Sequence, residues 1–153
     1  MNLILWRHAE AEIQRPGQDD LERELTPKGR RQAERMAAWL AERLPDDTQV
    51  LVSPAARTQQ TAQALNRRFK TVATLAPERS VGDLLKAAGW PGDEGTALIV
   101  GHQPTLGLAA ARLLCGAEQA WSVKKGAVWW LAGRERGGTA QVTLLAVQGP
   151  GKA

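Results

Sequence analysis

Two short apolar runs constrain this chain more than any other feature. Leu3-Ile4-Leu5-Trp6 and Ala97-Leu98-Ile99-Val100 are continuous rather than alternating, so each reads as a strand buried on both faces. Strands of that kind belong to parallel sheets with helices on either side. Both runs stop abruptly at a histidine, the first at Arg7-His8 and the second at Gly101-His102. Open α/β folds bind their ligands outside the carboxyl edge of the sheet, which is where these residues arrive.

Helices and further strands fill the interval in alternation. Residues 9–24 are polar, with Pro16, Gly17 and two adjacent aspartates, and predict a loop over that edge. Thr26-Pro27 opens a helix, with Thr26 as N-cap and apolar positions at Ala33, Met36, Ala37, Leu40, Ala41 and Leu44, ending before Pro45. Gln49–Val52 predicts a strand, and Ser53-Pro54 turns into a second helix carrying Arg57, Thr58, Thr61, Ala62 and Leu65. Thr71–Leu75, rich in β-branched residues, predicts a strand; Ser80 caps a short helix to about Ala88. Pro104 opens an apolar helix that Gly116 closes, and two strands, Ala127–Ala132 and Val142–Val147, flank the turn at Gly137-Gly138. The expected fold is α/β, a three-layer α/β/α sandwich with a mainly parallel central sheet and an antiparallel strand pair at its end. At 153 residues, the chain is expected to form one domain, 1–153.

Composition excludes several classes of function. The net charge of +4 suits an anionic partner, but no run of five basic residues occurs, tyrosine is absent and there is one phenylalanine, so no nucleic-acid partner is expected. Two histidines and one cysteine are too few for a zinc site of the usual kind, and no metal or other cofactor is expected. Cys115, the lone cysteine, is expected to pack in the core and fits a reducing compartment. With no basic leader and no apolar run near the ~18 residues of a membrane helix, the protein is expected to be cytoplasmic, away from membranes and monomeric.

By helical spacing Arg57 falls in the first turn after its strand, so Arg7, His8, Arg57 and His102 should converge at one sheet edge. Phosphoryl transfer needs little beyond a positioned nucleophile and positive groups on the equatorial oxygens. A neutral imidazole, one nitrogen donating to a carbonyl and the other bearing a lone pair, is such a nucleophile, and His8 suits the part. The two guanidiniums offer planar bidentate donors, and with His102 as a third donor no Mg²⁺ is required.

These residues also carry a family resemblance. Leu5-Trp6-Arg7-His8-Ala9, Leu25-Thr26-Pro27-Lys28-Gly29, the segment from Ser53-Pro54 through Arg57 to Gln60-Thr61-Ala62, and Val100-Gly101-His102-Gln103-Pro104 resemble, in order, the motifs of the histidine phosphatase superfamily. The short chain and the Arg-His-Ala start are most similar to the SixA-type phosphohistidine phosphatases. The resemblance implies a phosphoglycerate mutase-like fold, His8 as the phosphorylated nucleophile, and Arg7, Arg57 and His102 as the phosphate pocket. Ala9 stands where the family commonly has glycine, an exchange that is harmless only if φ there is negative. Larger members add a carboxylic acid to protonate an alkoxide leaving group, and Glu78, near a strand end, is the candidate by position. The expected activity is removal of phosphate from histidine of a phosphorylated protein substrate, through a covalent phospho-His8 intermediate. A small-molecule phosphomonoester phosphatase and a non-catalytic phosphate-binding adaptor are the alternatives.

Overall fold

The structure is a computed structural model that describes residues 1–151. Its sheet has six strands: β1 (Asn2–Arg7), β2 (Gln49–Val52), β3 (Lys70–Thr71), β4 (Thr96–Gly101), β5 (Val128–Arg136) and β6 (Thr139–Gln148), in the order β3-β2-β4-β1-β5-β6. The first four in that order run parallel, and β5 and β6 pair antiparallel. Among the described residues four α-helices complete the sandwich: α1 (Pro27–Ala41), α2 (Ala56–Gln63), α3 (Val81–Ala88) and α4 (Thr105–Cys115).

Strand β1 shows why its sequence does not alternate. Ile4 and Trp6 point into a cluster with Met36, Leu40 and Ala62 from α1 and α2, while Leu3 and Leu5 point into the opposite cluster with Leu84, Leu106 and Ala110 from α3 and α4. All four of these β1 side chains are fully buried. Each layer of helices covers one face, so every position of a central strand contributes apolar burial, about 25 cal/mol per Å² of surface removed from water.

Local signals account for the helix ends. The Thr26 hydroxyl accepts the Gly29 N–H at 2.9 Å and the Ser80 hydroxyl accepts the Asp83 N–H at 3.0 Å, satisfying donors that the first turn leaves free. Gly29 is needed for another reason: a methyl group there would collide with the Glu10 carbonyl oxygen, which accepts the Thr26 N–H at 3.0 Å. The α1 start is thereby locked to the chain leaving β1. Between β5 and β6, Gly137 and Gly138 both take positive φ, 57° and 81°, which a two-residue hairpin turn matched to strand twist requires.

Three expectations change. The run Thr71–Leu75 is mostly not a strand: pairing stops after Thr71, and Ala73–Leu75 form a 3-10 turn that buries Leu75 beneath α3. With a single neighbour, β2, to pair with, β propensity yields to the burial of Leu75. The β5–β6 hairpin is longer than its apolar segments because antiparallel pairing continues along polar residues to the glycine turn. Cys115, expected in the core, is exposed at the last position of α4, with its thiol 3.6 Å from the Ala117 carbonyl. No helix among the described residues is long and apolar enough to cross a membrane.

Candidate active site

The carboxyl ends of β1, β2 and β4 lie side by side. Arg7 stands in register with Gly101, the His8 N–H donates to the Gly101 carbonyl at 3.2 Å, and the Ser53 N–H donates to the Val100 carbonyl at 3.1 Å. Parallel pairing therefore sets His8 and His102 on neighbouring strand ends, their ring centroids 5.4 Å apart. Arg57 joins them from the first turn of α2. All four residues line one pocket of about 170 Å³.

His8 is fixed in one tautomer. Its Nδ1 lies 2.7 Å from the Ala9 carbonyl oxygen, which can only accept, so Nδ1 carries the proton and Nε2 the lone pair. Burial lowers its pKa to about 4, with Arg57 and Arg7 nearby acting in the same direction and the bond to Ala9 opposing them. The ring is neutral and nucleophilic at neutral pH. Ala9 is fully buried, its φ is not positive, and its N–H donates to the Thr61 hydroxyl at 3.1 Å. A methyl in place of a hydrogen at this position therefore costs no backbone strain.

His102 is held through Nε2, 2.7 Å from the Ser53 hydroxyl, and burial, followed by the charge of Arg57, lowers its pKa to about 3. Its Nδ1 has no hydrogen-bond partner. Among the described residues the buried side-chain nitrogens or oxygens left unpartnered are His102 Nδ1, Arg7 Nε and Arg57 Nε, all from the residues that line this pocket. Buried donors without acceptors cost free energy, on the order of 1–3 kcal/mol each, that a bound anion recovers.

The guanidiniums are braced from behind. Arg7 donates through Nη1 to the Val123 carbonyl at 3.0 Å. Arg57 donates to both the backbone carbonyl and the carboxylate of Asp20, at 2.8 and 2.9 Å. Asp20 also accepts from Arg23 Nε at 2.8 Å. Partial burial works against the charged Asp20, but the hydrogen bonds from Arg23 and Arg57 outweigh it and hold its carboxyl below the usual carboxylate range.

Arg7, His8, Arg57 and His102 are thus brought together as the sequence predicts. Glu78 is not: it is exposed, with φ at 68°, and its neighbour Pro77 lines the pocket in its stead. Four contributors escaped the sequence reading. Asp20 and Arg23 sit in the predicted loop, where only their three-residue spacing hinted at an ion pair. Ser53 read as part of a turn. Lys125, which also lines the pocket, lies just before β5 in a segment with no periodic pattern. No three of His, Cys, Asp and Glu gather closely enough among the described residues to hold a metal ion.

Comparison with known proteins bears on the same residues. Residues 3–84 match the family model described as histidine phosphatase superfamily (branch 1). No curated protein matches the chain in sequence. Among solved structures, a protein from Nakamurella multipartitia provisionally named phosphohistidine phosphatase SixA is 27% identical, with a TM-score of 0.78 over 97% of this chain and 95% of that one. A second provisionally named SixA, from Agrobacterium tumefaciens, is 23% identical with a TM-score of 0.80 over 97% of each chain. A third, named the protein histidine phosphatase SixA and solved with tungstate, is 24% identical with a TM-score of 0.78 over 98% of this chain and 97% of that one.

Proposed function

The chain belongs to the histidine phosphatase superfamily, and from that premise we propose that it is a cytoplasmic phosphatase that removes phosphate from histidine on a phosphorylated protein by way of phospho-His8. The observation that carries the substrate class is the pocket lining, which among the described residues offers a neutral imidazole and cationic groups but no carboxylic acid. Asp20, whose carboxylate touches Arg57, is held ionised and has no proton to give at neutral pH. An ester needs its alkoxide leaving group protonated, whereas a phosphorylated histidine leaves as imidazole and needs far less assistance. Solved structures that share the fold over nearly the whole chain carry names for that activity.

In this reading, the Nε2 lone pair of His8 attacks phosphorus. The substrate ring carries a proton on its other nitrogen; as the N–P bond breaks, the electron pair stays on the departing nitrogen and the ring leaves as neutral imidazole, with no further proton required. Arg7 and Arg57 bind the equatorial oxygens. When the Ser53 hydroxyl, 2.7 Å away, donates to Nε2 of His102, that ring's proton sits on Nδ1, the atom left without a partner, and serves as a further donor to the phosphoryl group. Water then attacks phospho-His8, releasing phosphate and restoring the free imidazole. The chain is read as one domain, a reading supported by residues from β1 and from the segment before β5 meeting at the same pocket.

Turnover of a phosphohistidine peptide beside a panel of small phosphomonoesters tests the assignment. The expected result is a kcat/KM for the phosphohistidine peptide at least about a hundredfold above that of any ester, the lower end of what acid–base assistance is worth to an ester. The reverse order assigns a metabolite phosphatase, and binding of phosphate without any turnover assigns an adaptor.

A further inference from the structure

We propose that Lys125 selects the substrate protein, its ammonium pairing with a carboxylate that stands beside the phosphorylated histidine on the substrate's surface. This rests on the phosphohistidine reading above. Lys125 sits on a segment fixed to the strand that carries the nucleophile. On one side of it, the carbonyl of fully buried Val123 accepts from Arg7 Nη1 at 3.0 Å. On the other, the Gly126 N–H donates to the His8 carbonyl at 2.9 Å and the Gly126 carbonyl accepts from Trp6 Nε1 at 3.1 Å. The position of Lys125 relative to the nucleophile is therefore set by the same backbone that aims His8.

The charges at the pocket argue for a second anion. Four cations line it, Arg7, Arg23, Arg57 and Lys125. One carboxylate, Asp20, is shared by Arg23 and Arg57, so three positive charges remain uncompensated, against two negative charges on a phosphoryl group. Lys125 makes no ion pair or side-chain hydrogen bond among the described residues, and it is exposed, whereas His8, Arg57 and His102 are buried. The buried groups meet the phosphoryl oxygens, and the exposed ammonium meets whatever surrounds the phosphorylated residue. A lysine suits that role, because its long stem and compact charge adapt to a carboxylate whose placement varies, where a guanidinium fork would demand one geometry. Charge pairs at a rim act chiefly on encounter and partner choice.

The test uses four peptides: a phosphohistidine peptide with Asp at the flanking positions, its counterpart with Asn, and the same pair built on phosphoserine. The wild-type protein is expected to favour the Asp-flanked phosphohistidine peptide by about fivefold in kcat/KM, the upper range for an exposed ion pair, with the difference in KM and shrinking as salt rises. Lys125→Gln should bring that ratio to near one, Lys125→Arg should retain most of it, and Lys125→Glu should invert it. A ratio equal in wild type and Lys125→Gln overturns the proposal, as does an equal loss of kcat on both peptides, which would place Lys125 on the phosphoryl group itself. Turnover confined to the phosphoserine pair contradicts the phosphohistidine reading, while the Asp-to-Asn ratio within that pair still decides the role of Lys125. No turnover of any peptide overturns both.

Discussion

The imidazoles of His8 and His102 stand 5.4 Å apart and tilted by 54°, on the ends of two parallel strands paired in register. Their second nitrogens are tied differently, one to a backbone carbonyl and one to a hydroxyl, and that difference assigns them different work. A carbonyl fixes the proton on Nδ1 of His8 without ambiguity. A hydroxyl can donate or accept, so the tautomer of His102 depends on Ser53.

Replacing Ser53 with alanine should therefore lower kcat by about a hundredfold, the low end of the loss seen when one donor to a developing charge is removed. KM should change little, because Arg7 and Arg57 keep their own anchors. Steady-state kinetics on a phosphohistidine peptide check this, and a change confined to KM would count against a role for His102 in the transition state.

The depressed pKa values of the two histidines link stability to pH. Both lie near 3 to 4 in the folded protein, below the ~6.5 of an unfolded chain. Between those limits the unfolded state binds more protons, so stability is fully present above about pH 6.5 and is lost as pH falls towards 4. Thermal melts from pH 7 to 4.5 should show Tm falling by at least about 5 °C, and the double variant His8→Asn, His102→Asn should show a flatter profile. Parallel profiles for the two proteins would contradict the buried neutral histidines.

Much of this arrangement is legible in the sequence because its causes are local or periodic. An apolar run buried on both faces looks the same in any parallel sheet, and caps such as Thr26, Ser80 and Gly116 act within a turn of where they stand. The meeting of His8, His102 and Arg57 follows from strand ends and from a first helical turn. What the sequence hides depends on contacts between distant segments. The bracing of Arg57 by Asp20 spans 37 residues, the anchoring of Arg7 by Val123 spans 116, and no periodicity marks either. The 3-10 turn at Leu75 and the exposure of Cys115 are hidden for the same reason, since what a residue does at a sheet edge or a helix end depends on what lies across from it.

Gly29→Ala should destabilise the fold by about 1–3 kcal/mol, as forced overpacking does, although alanine is the better helix former. The methyl would press on the Glu10 carbonyl, two residues from His8, so activity should fall with stability. Urea unfolding and turnover measured together check both effects. A more stable variant would mean that the α1 start gives way without strain.

Glu78→Gln should change kcat on a phosphohistidine peptide by less than about twofold, since the side chain is exposed and outside the pocket lining, and surface substitutions of that kind have small effects. A loss of ~100-fold or more, the size expected for a general acid, would show that Glu78 reaches the leaving group during turnover.

The central claim is tested most directly by following phosphorus. The protein is mixed with a ³²P-labelled phosphohistidine peptide, quenched in base within a fraction of a turnover, and the label mapped by digestion. The account predicts transient, base-stable and acid-labile phosphate on the peptide containing His8, absent from His8→Ala, whose fold should survive because His8 ends a strand and fills no apolar core position. Turnover by the wild-type protein with label never on His8, or undiminished turnover by His8→Ala, would contradict it.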